Sequence, residues 1–107
     1  MKRISIGKDF SDTPWGRYPD DGPFSGERFR EEMLKPALQD HHQLTVFIDD
    51  AEGYGSSFLD EAFGGLVRKG YYTPKQLRDG LTIECNDPDY TIYRDLIWKY
   101  IDEAKRE

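Results

Sequence analysis

Asp49, Asp50 and Glu52 close the apolar run Leu44-Thr45-Val46-Phe47-Ile48. Carboxylates at the C-terminal end of a core strand stand where open α/β sheets collect ligands, and such a set can hold a hard cation such as Mg²⁺. Solvated turn carboxylates are far commoner, so no metal is expected here. Arg17, Arg28 and Arg30 lie around a Gly- and Pro-rich loop and the helix after it; their guanidinium groups could contact a phosphate or carboxylate of a ligand or partner. His41 and His42 are adjacent, so their side chains tend to diverge, and a loop between helix and strand is an ordinary place for exposed imidazoles. Ser25 could be combined with a histidine and an aspartate on paper, but no nucleophile-elbow sequence surrounds it, and it is expected to cap a helix. Cys85, beside Leu81 and Ile83, reads as a buried strand residue. No catalytic residue and no cofactor follow from these groups.

The elements that must position them come from periodicity and breakers. Lys2 to Phe10 alternates Ile4, Ile6 and Phe10 with polar residues, the pattern of a half-buried strand. Pro14 to Pro23 is too rich in proline and glycine for a regular element, yet its Trp15 and Tyr18 imply that it packs. Ser25 caps a helix with Glu27 in its first turn and an inner stripe of Phe29, Met33 and Ala37; Pro36 should kink or end it. Leu44 to Ile48 reads as a central strand covered on both faces. Ser56 or Ser57 is expected to cap the next helix, which carries Phe58, Leu59, Ala62, Phe63, Leu66 and Val67 and stops at Gly70. Thr73 caps a short helix, Leu81 to Cys85 is a third strand, and Asp87-Pro88 opens a last helix in which Trp98 and Tyr100 could form a docking face. Alternating strands and helices imply one small α/β domain over residues 1–107, with a mainly parallel sheet and helices packed on it.

At 107 residues with a formal net charge of −6, the chain would be repelled by nucleic acid and suits basic protein surfaces. Its apolar runs are too short to span a bilayer, and Ile4-Ser5-Ile6 is too short for the apolar core of a secretory signal, so a cytoplasmic protein is expected.

Gly64-Gly65 lies inside a helix, where each glycine costs about 1 kcal/mol relative to alanine. Bare backbone there lets the helix approach the sheet, or lets a partner approach the helix.

The strand Leu44 to Ile48, its acidic turn, Gly53-Tyr54-Gly55-Ser56-Ser57 and a helix with internal glycines together resemble the switch region of STAS domains, which include bacterial anti-anti-sigma factors. Lys8-Asp9-Phe10-Ser11, Gly16-Arg17-Tyr18, Ser25 to Arg30 and Ser57 to Leu66 more closely resemble the bacterial STAS-like domain family of unknown function. The specific part is Asp60-Glu61-Ala62-Phe63-Gly64-Gly65, after a Gly- and Ser-rich turn. The resemblance implies a STAS-like fold and a non-catalytic regulatory module. It also implies a histidine-kinase-like ATPase as protein partner, and phosphorylation of a serine at the start of this helix, Ser57 by alignment with Ser56 as the neighbour. The partner-binding and switch residues are then Ser56, Ser57, Phe58, Asp60, Glu61, Gly64 and Gly65. A phosphate there would gain from the helix dipole, while its charge beside Asp60 and Glu61 would disturb a docked partner. STAS signatures place an aspartate before the serine and a glycine soon after, where this chain has Gly55-Ser56-Ser57-Phe58-Leu59.

Two other readings stand beside this one. In the first, a phage or mobile-element inhibitor uses Asp49, Asp50, Asp60 and Glu61 to mimic a nucleic-acid backbone or cover a basic host surface. In the second, a small enzyme or enzyme subunit uses the strand-end carboxylates with Ser57 and Arg17.

Overall fold

A computed structural model describes residues 2–40 and 43–107; the expectation for His41 and His42 falls outside the described residues. Strands β1 (Lys2–Ser5), β2 (Leu44–Phe47) and β3 (Leu81–Glu84) form a parallel sheet in the order β1-β2-β3, with Ile4, Val46 and Ile83 side by side. The α/β fold with its parallel sheet is the one expected. Strand order advances in one direction at both crossovers, so connections of one hand place their helices on one face. Burial follows this: Ile4, Leu44, Val46, Leu81 and Ile83 are buried, while Arg3, Thr45, Phe47, Thr82 and Glu84 on the opposite face are exposed or half-buried. The expectation that β2 is covered on both faces is therefore corrected. On the open face Arg3 lies 4.7 Å from the Phe47 ring and pairs with Glu84 at 3.0 Å, screening the one large apolar side chain of that face.

The first strand is shorter than expected. After Ser5 the chain winds into a single π turn, Ile6–Phe10, closed by the Ser11 N–H on the Ile6 carbonyl, with the Asp9 carboxylate accepting from the Ser5 N–H at 2.8 Å.

Helix α1 covers 26–40 and α2 covers 56–68, and each has a π-helical middle: Gly26–Phe29, Arg30–Leu34, Lys35–Asp40 in α1, and Ser56–Leu59, Asp60–Gly64, Gly65–Arg68 in α2. The extra residue in the π turn moves the inner stripe of α1 by one position, so that Phe29, Leu34 and Ala37 are buried and Met33 is only partly so. Pro36 neither ends nor breaks α1; it follows the widened turn, where a residue without an N–H is accommodated. Ser25 caps α1 by accepting from the Arg28 N–H at 3.3 Å. Helix α3 (Pro74–Gly80) is capped reciprocally by Thr73 and Gln76, and Gly70, at φ 75°, ends α2 as expected. Asp87 accepts from the Asp89 N–H ahead of a 3₁₀ turn, Pro88–Tyr90, that leads into α4 (Thr91–Glu103).

Helix α2 lies between α1 and α4 and carries Phe58, Leu59, Ala62, Phe63 and Leu66 into the core with no exposed surface. A Cβ on Gly26 would stand 2.6 Å from the Phe58 carbonyl oxygen and 3.0 Å from the Ala62 nitrogen. Both are backbone atoms that no rotamer change can move, so Gly26 sets how closely α1 and α2 approach. Gly26→Ala is expected to cost about 1–3 kcal/mol by overpacking, read as a lower urea midpoint with an unchanged slope.

Candidate functional site

The residues singled out in α2 divide into an interior set and a surface set. Phe58, Glu61, Gly64 and Gly65 are buried, and Asp60 is partly so. Their expected place on a partner-facing surface is corrected: they face α1, α4 and the preceding loop.

Three arginines hold this interior together. Arg30, 1% exposed, donates through Nη1 to the Glu61 carboxylate and to the Glu61 carbonyl, both at 2.7 Å, and through Nε to Glu31 at 2.8 Å. Tyr71 donates its hydroxyl to Glu31 at 3.1 Å. Arg17 meets Asp60 at 2.8 Å and Glu61 at 3.6 Å, and Arg68 meets Asp60 at 3.0 Å and Glu61 at 3.8 Å. Three guanidinium groups thus answer three carboxylates where the two π turns face each other, and every buried charge has a hydrogen-bonded partner. Arg30 is consequently not an exposed contact for a ligand. Arg28 lies elsewhere, over the Phe10 and Phe24 rings and paired with Glu32, so the arginines do not converge on one anion.

Neither reason expected for Gly64-Gly65 is the one found. A Cβ on Gly65 would lie 2.3 Å from Arg30 Nη1, and one on Gly64 would lie 2.8 Å from Asp60 Oδ1 and 3.4 Å from the Tyr100 carbonyl of α4. The bare pair leaves room for the ionic network and for α4.

Burial alone would raise the pKa of Asp60, but hydrogen bonds from Arg17 and Arg68 outweigh it and hold the carboxyl below its ordinary value. At Glu31 the opposing pair is burial and the hydrogen bonds from Arg30 and Tyr71, again with a lowered pKa. A depressed folded pKa gives stability that is present above the unfolded value and lost as pH falls through the folded one. Unfolding free energy is therefore expected to be flat with respect to these two groups above about pH 5 and to fall below about pH 4. Asp60→Asn should flatten that acid limb, measured by urea titration at a series of pH values.

The surface set is Ser56 and Ser57. Both are exposed, and neither caps the helix: the N-cap is Gly55, with no side-chain bond, and the serines take the first two helical positions. The capping role expected of one of them is corrected, because a glycine in extended conformation (φ −73°, ψ 144°) already turns the chain into the helix. Both serines lie in the first turn, whose N–H groups have no intrahelical acceptor.

Ser56 and Ser57 share an open cleft of about 360 Å³ with Trp15, Gly16, Arg17, Asp21 and Gly55. The loop in front of α1 is fixed from both sides. The Gly16 and Arg17 carbonyls accept from the Gly26 and Glu27 N–H groups at 2.9 Å, and the Asp21 carboxylate accepts from the Arg17 and Tyr18 N–H groups at 3.1 Å. The Glu52 N–H donates to the Asp12 carbonyl at 2.7 Å, tying this loop to the one before α2. Trp15 packs its indole against Gly55, where a Cβ would come within 3.0 Å of the ring. Arg17 thus joins the cleft to the interior network. Sequence reasoning missed Trp15 as part of this site; its presence in a Pro- and Gly-rich loop was the available signal.

The sequence profile described as STAS-like domain of unknown function (DUF4325) matches residues 25–90, from the cap of α1 to the start of α4. The chain belongs to that family. No curated protein and no solved structure matches this STAS-like domain.

The remaining candidates of the STAS-like domain are engaged locally. Asp49 accepts from the Asn86 and Asp87 N–H groups at 2.7 and 2.9 Å, Asp50 accepts from the Gly7 N–H at 2.9 Å, and no group of three metal-ligating side chains gathers among the described residues. With Asp60 and Glu61 answered by arginines, the four carboxylates proposed for nucleic-acid mimicry do not form one outward face. Cys85 is half-buried rather than buried; burial, with Asp49 nearby, pushes its thiol pKa up. Trp98 is covered by the Arg78 guanidinium at 4.1 Å, so the docking face expected on α4 is partly closed. No helix among the described residues is long and apolar enough to cross a membrane.

Proposed function

We propose that this STAS-like domain is a non-catalytic regulatory module that binds a protein through the face around Trp15, Ser56 and Ser57, and that phosphorylation of Ser57 switches it. The observation carrying this reading is that two exposed, uncommitted serine hydroxyls open α2 inside a cleft that also holds a guanidinium group. A phosphate on Ser57 would gain from the first-turn N–H groups and the helix dipole, and its charge would draw Arg17 away from Asp60. Repulsion by Asp60 and Glu61 is muted, because Arg68 and Arg30 still answer them once Arg17 has moved. A histidine-kinase-like ATPase fits as the enzyme that adds the phosphate.

The test is phosphoryl transfer to the purified domain by such an ATPase from the same host, read by intact mass and fragment mapping. The expected result is one phosphate, present on Ser56→Ala and absent from Ser57→Ala. Transfer that survives in Ser57→Ala, or no transfer from any such ATPase of the host, would overturn the switch.

A further inference from the structure

Of the large apolar side chains that are exposed among the described residues, Trp15 at 65% and Tyr18 at 50% lie on the same short loop, with Ile92 on α4 the other. Trp15 is a ridge between two clefts. One is the serine cleft, and the other, of about 310 Å³, is lined by Thr13, Pro14, Glu52, Gly53, Tyr54 and Gly55. The carbonyl and N–H contacts that tie this loop to α1 and to the loop before α2 hold the ridge in place without a partner.

Carboxylates outnumber cations around the ridge. Asp12, Asp20, Asp21 and Glu52 are all exposed, and Asp21 and Glu52 each line a cleft beside the indole. Arg17 is the one cation lining either cleft among the described residues, and it is bound to Asp60. An exposed indole with carboxylates on both sides favours a cation that is also flat: a guanidinium can stack on the ring while its N–H groups reach the flanking oxygens, which a lysine ammonium does less well.

We propose that the Trp15 ridge docks an arginine-bearing segment of a partner protein, one guanidinium stacking on the indole between Asp21 and Glu52. The proposal rests on the binding-module reading above and supplies the chemistry of its partner. A phosphate on Ser57 would add negative charge to a face already acidic, so modification strengthens this contact instead of releasing it.

The test uses a short labelled peptide of alternating arginine and glycine, with the lysine-glycine and glutamate-glycine peptides as comparisons, titrated into the whole chain while the Trp15 indole N–H is followed by NMR. The expected result is a saturable shift with the arginine peptide, weaker binding of the lysine peptide and none of the glutamate peptide. Trp15→Ala, at an exposed position that should leave the fold intact, is expected to weaken binding roughly three- to tenfold, Trp15→Phe less and Glu52→Gln measurably. Asp79→Asn, an exposed carboxylate on α3, should leave it unchanged. Preparing the chain with phosphoserine at 57 should tighten binding and steepen its salt dependence. No saturable shift would overturn the proposal, as would equal weakening by Trp15→Ala and Asp79→Asn, which would mean unspecific attraction to an acidic protein. Binding at Trp15 with no phosphate on Ser57 in the host would end the switch alone; phosphate on Ser57 without peptide binding would end this inference alone.

Discussion

Replacing Arg30 by alanine should cost about 3 kcal/mol, at the low end of the range for breaking a buried ion pair. Its removal leaves Glu61, which is 5% exposed, without its 2.7 Å partner and takes the donor from the Glu61 carbonyl. The loss is held to the low end by Arg17 and Arg68, which remain 3.6 and 3.8 Å from the same carboxylate. An apolar replacement of the pair, Arg30→Met with Glu61→Leu, should recover most of the stability, because two desolvated charges then disappear together. Urea unfolding of the single and double variants measures both. A single variant within about 1 kcal/mol of wild type would mean that water or the remaining arginines already satisfy Glu61, and the interior network would lose its structural role.

Gly65→Ala tests the same network from the other side, and here two effects have opposite signs. Helix propensity favours alanine by about 1 kcal/mol. Against it, the new Cβ would lie 2.3 Å from Arg30 Nη1, and Arg30 cannot readily swing away because Glu31 holds its Nε and Glu61 its Nη1. Overpacking should win, with a net loss of about 1–3 kcal/mol. In an Arg30→Ala background the clash is gone and Gly65→Ala should become stabilising by about 1 kcal/mol. A double-mutant cycle on thermal or urea unfolding reads that reversal of sign as coupling between the two positions. Additive effects would place the reason for Gly65 elsewhere.

Two strands of the sheet and some of the helix ends were legible because they rest on local rules: β-branched runs for Leu44–Phe47 and Leu81–Glu84, a hydroxyl cap at Ser25, a reciprocal cap at Thr73, and glycine at φ 75° after α2. What was not legible depends on partners distant in sequence. The π turn in α1 shifts burial from Met33 to Leu34, a register change that a 3.6-residue period cannot anticipate. Glu61 looks like a solvated helix residue until Arg30, thirty-one positions earlier, is seen to reach it. Gly64-Gly65 was visible as an anomaly, but its cause is the path of an arginine side chain. The open face of β2 was misread because Thr45 and Phe47 are as compatible with a covered strand as with an open one. At the candidate site the serines were found from sequence, while the cleft was not, since it is built by a loop about forty residues away whose Trp15 meets Gly55.

The central claim is that Trp15 and Ser57 belong to one partner-binding face that a phosphate controls. Purifying the tagged protein from its own host with ATP present, as wild type, Ser57→Ala and Trp15→Ala, and measuring both intact mass and the amount of each retained protein, tests it most directly. The account predicts a phosphate on wild type that is absent from Ser57→Ala, and a partner retained by wild type at a level that falls in Trp15→Ala and changes in Ser57→Ala. An unmodified chain, with the same proteins retained equally by all three, would contradict it.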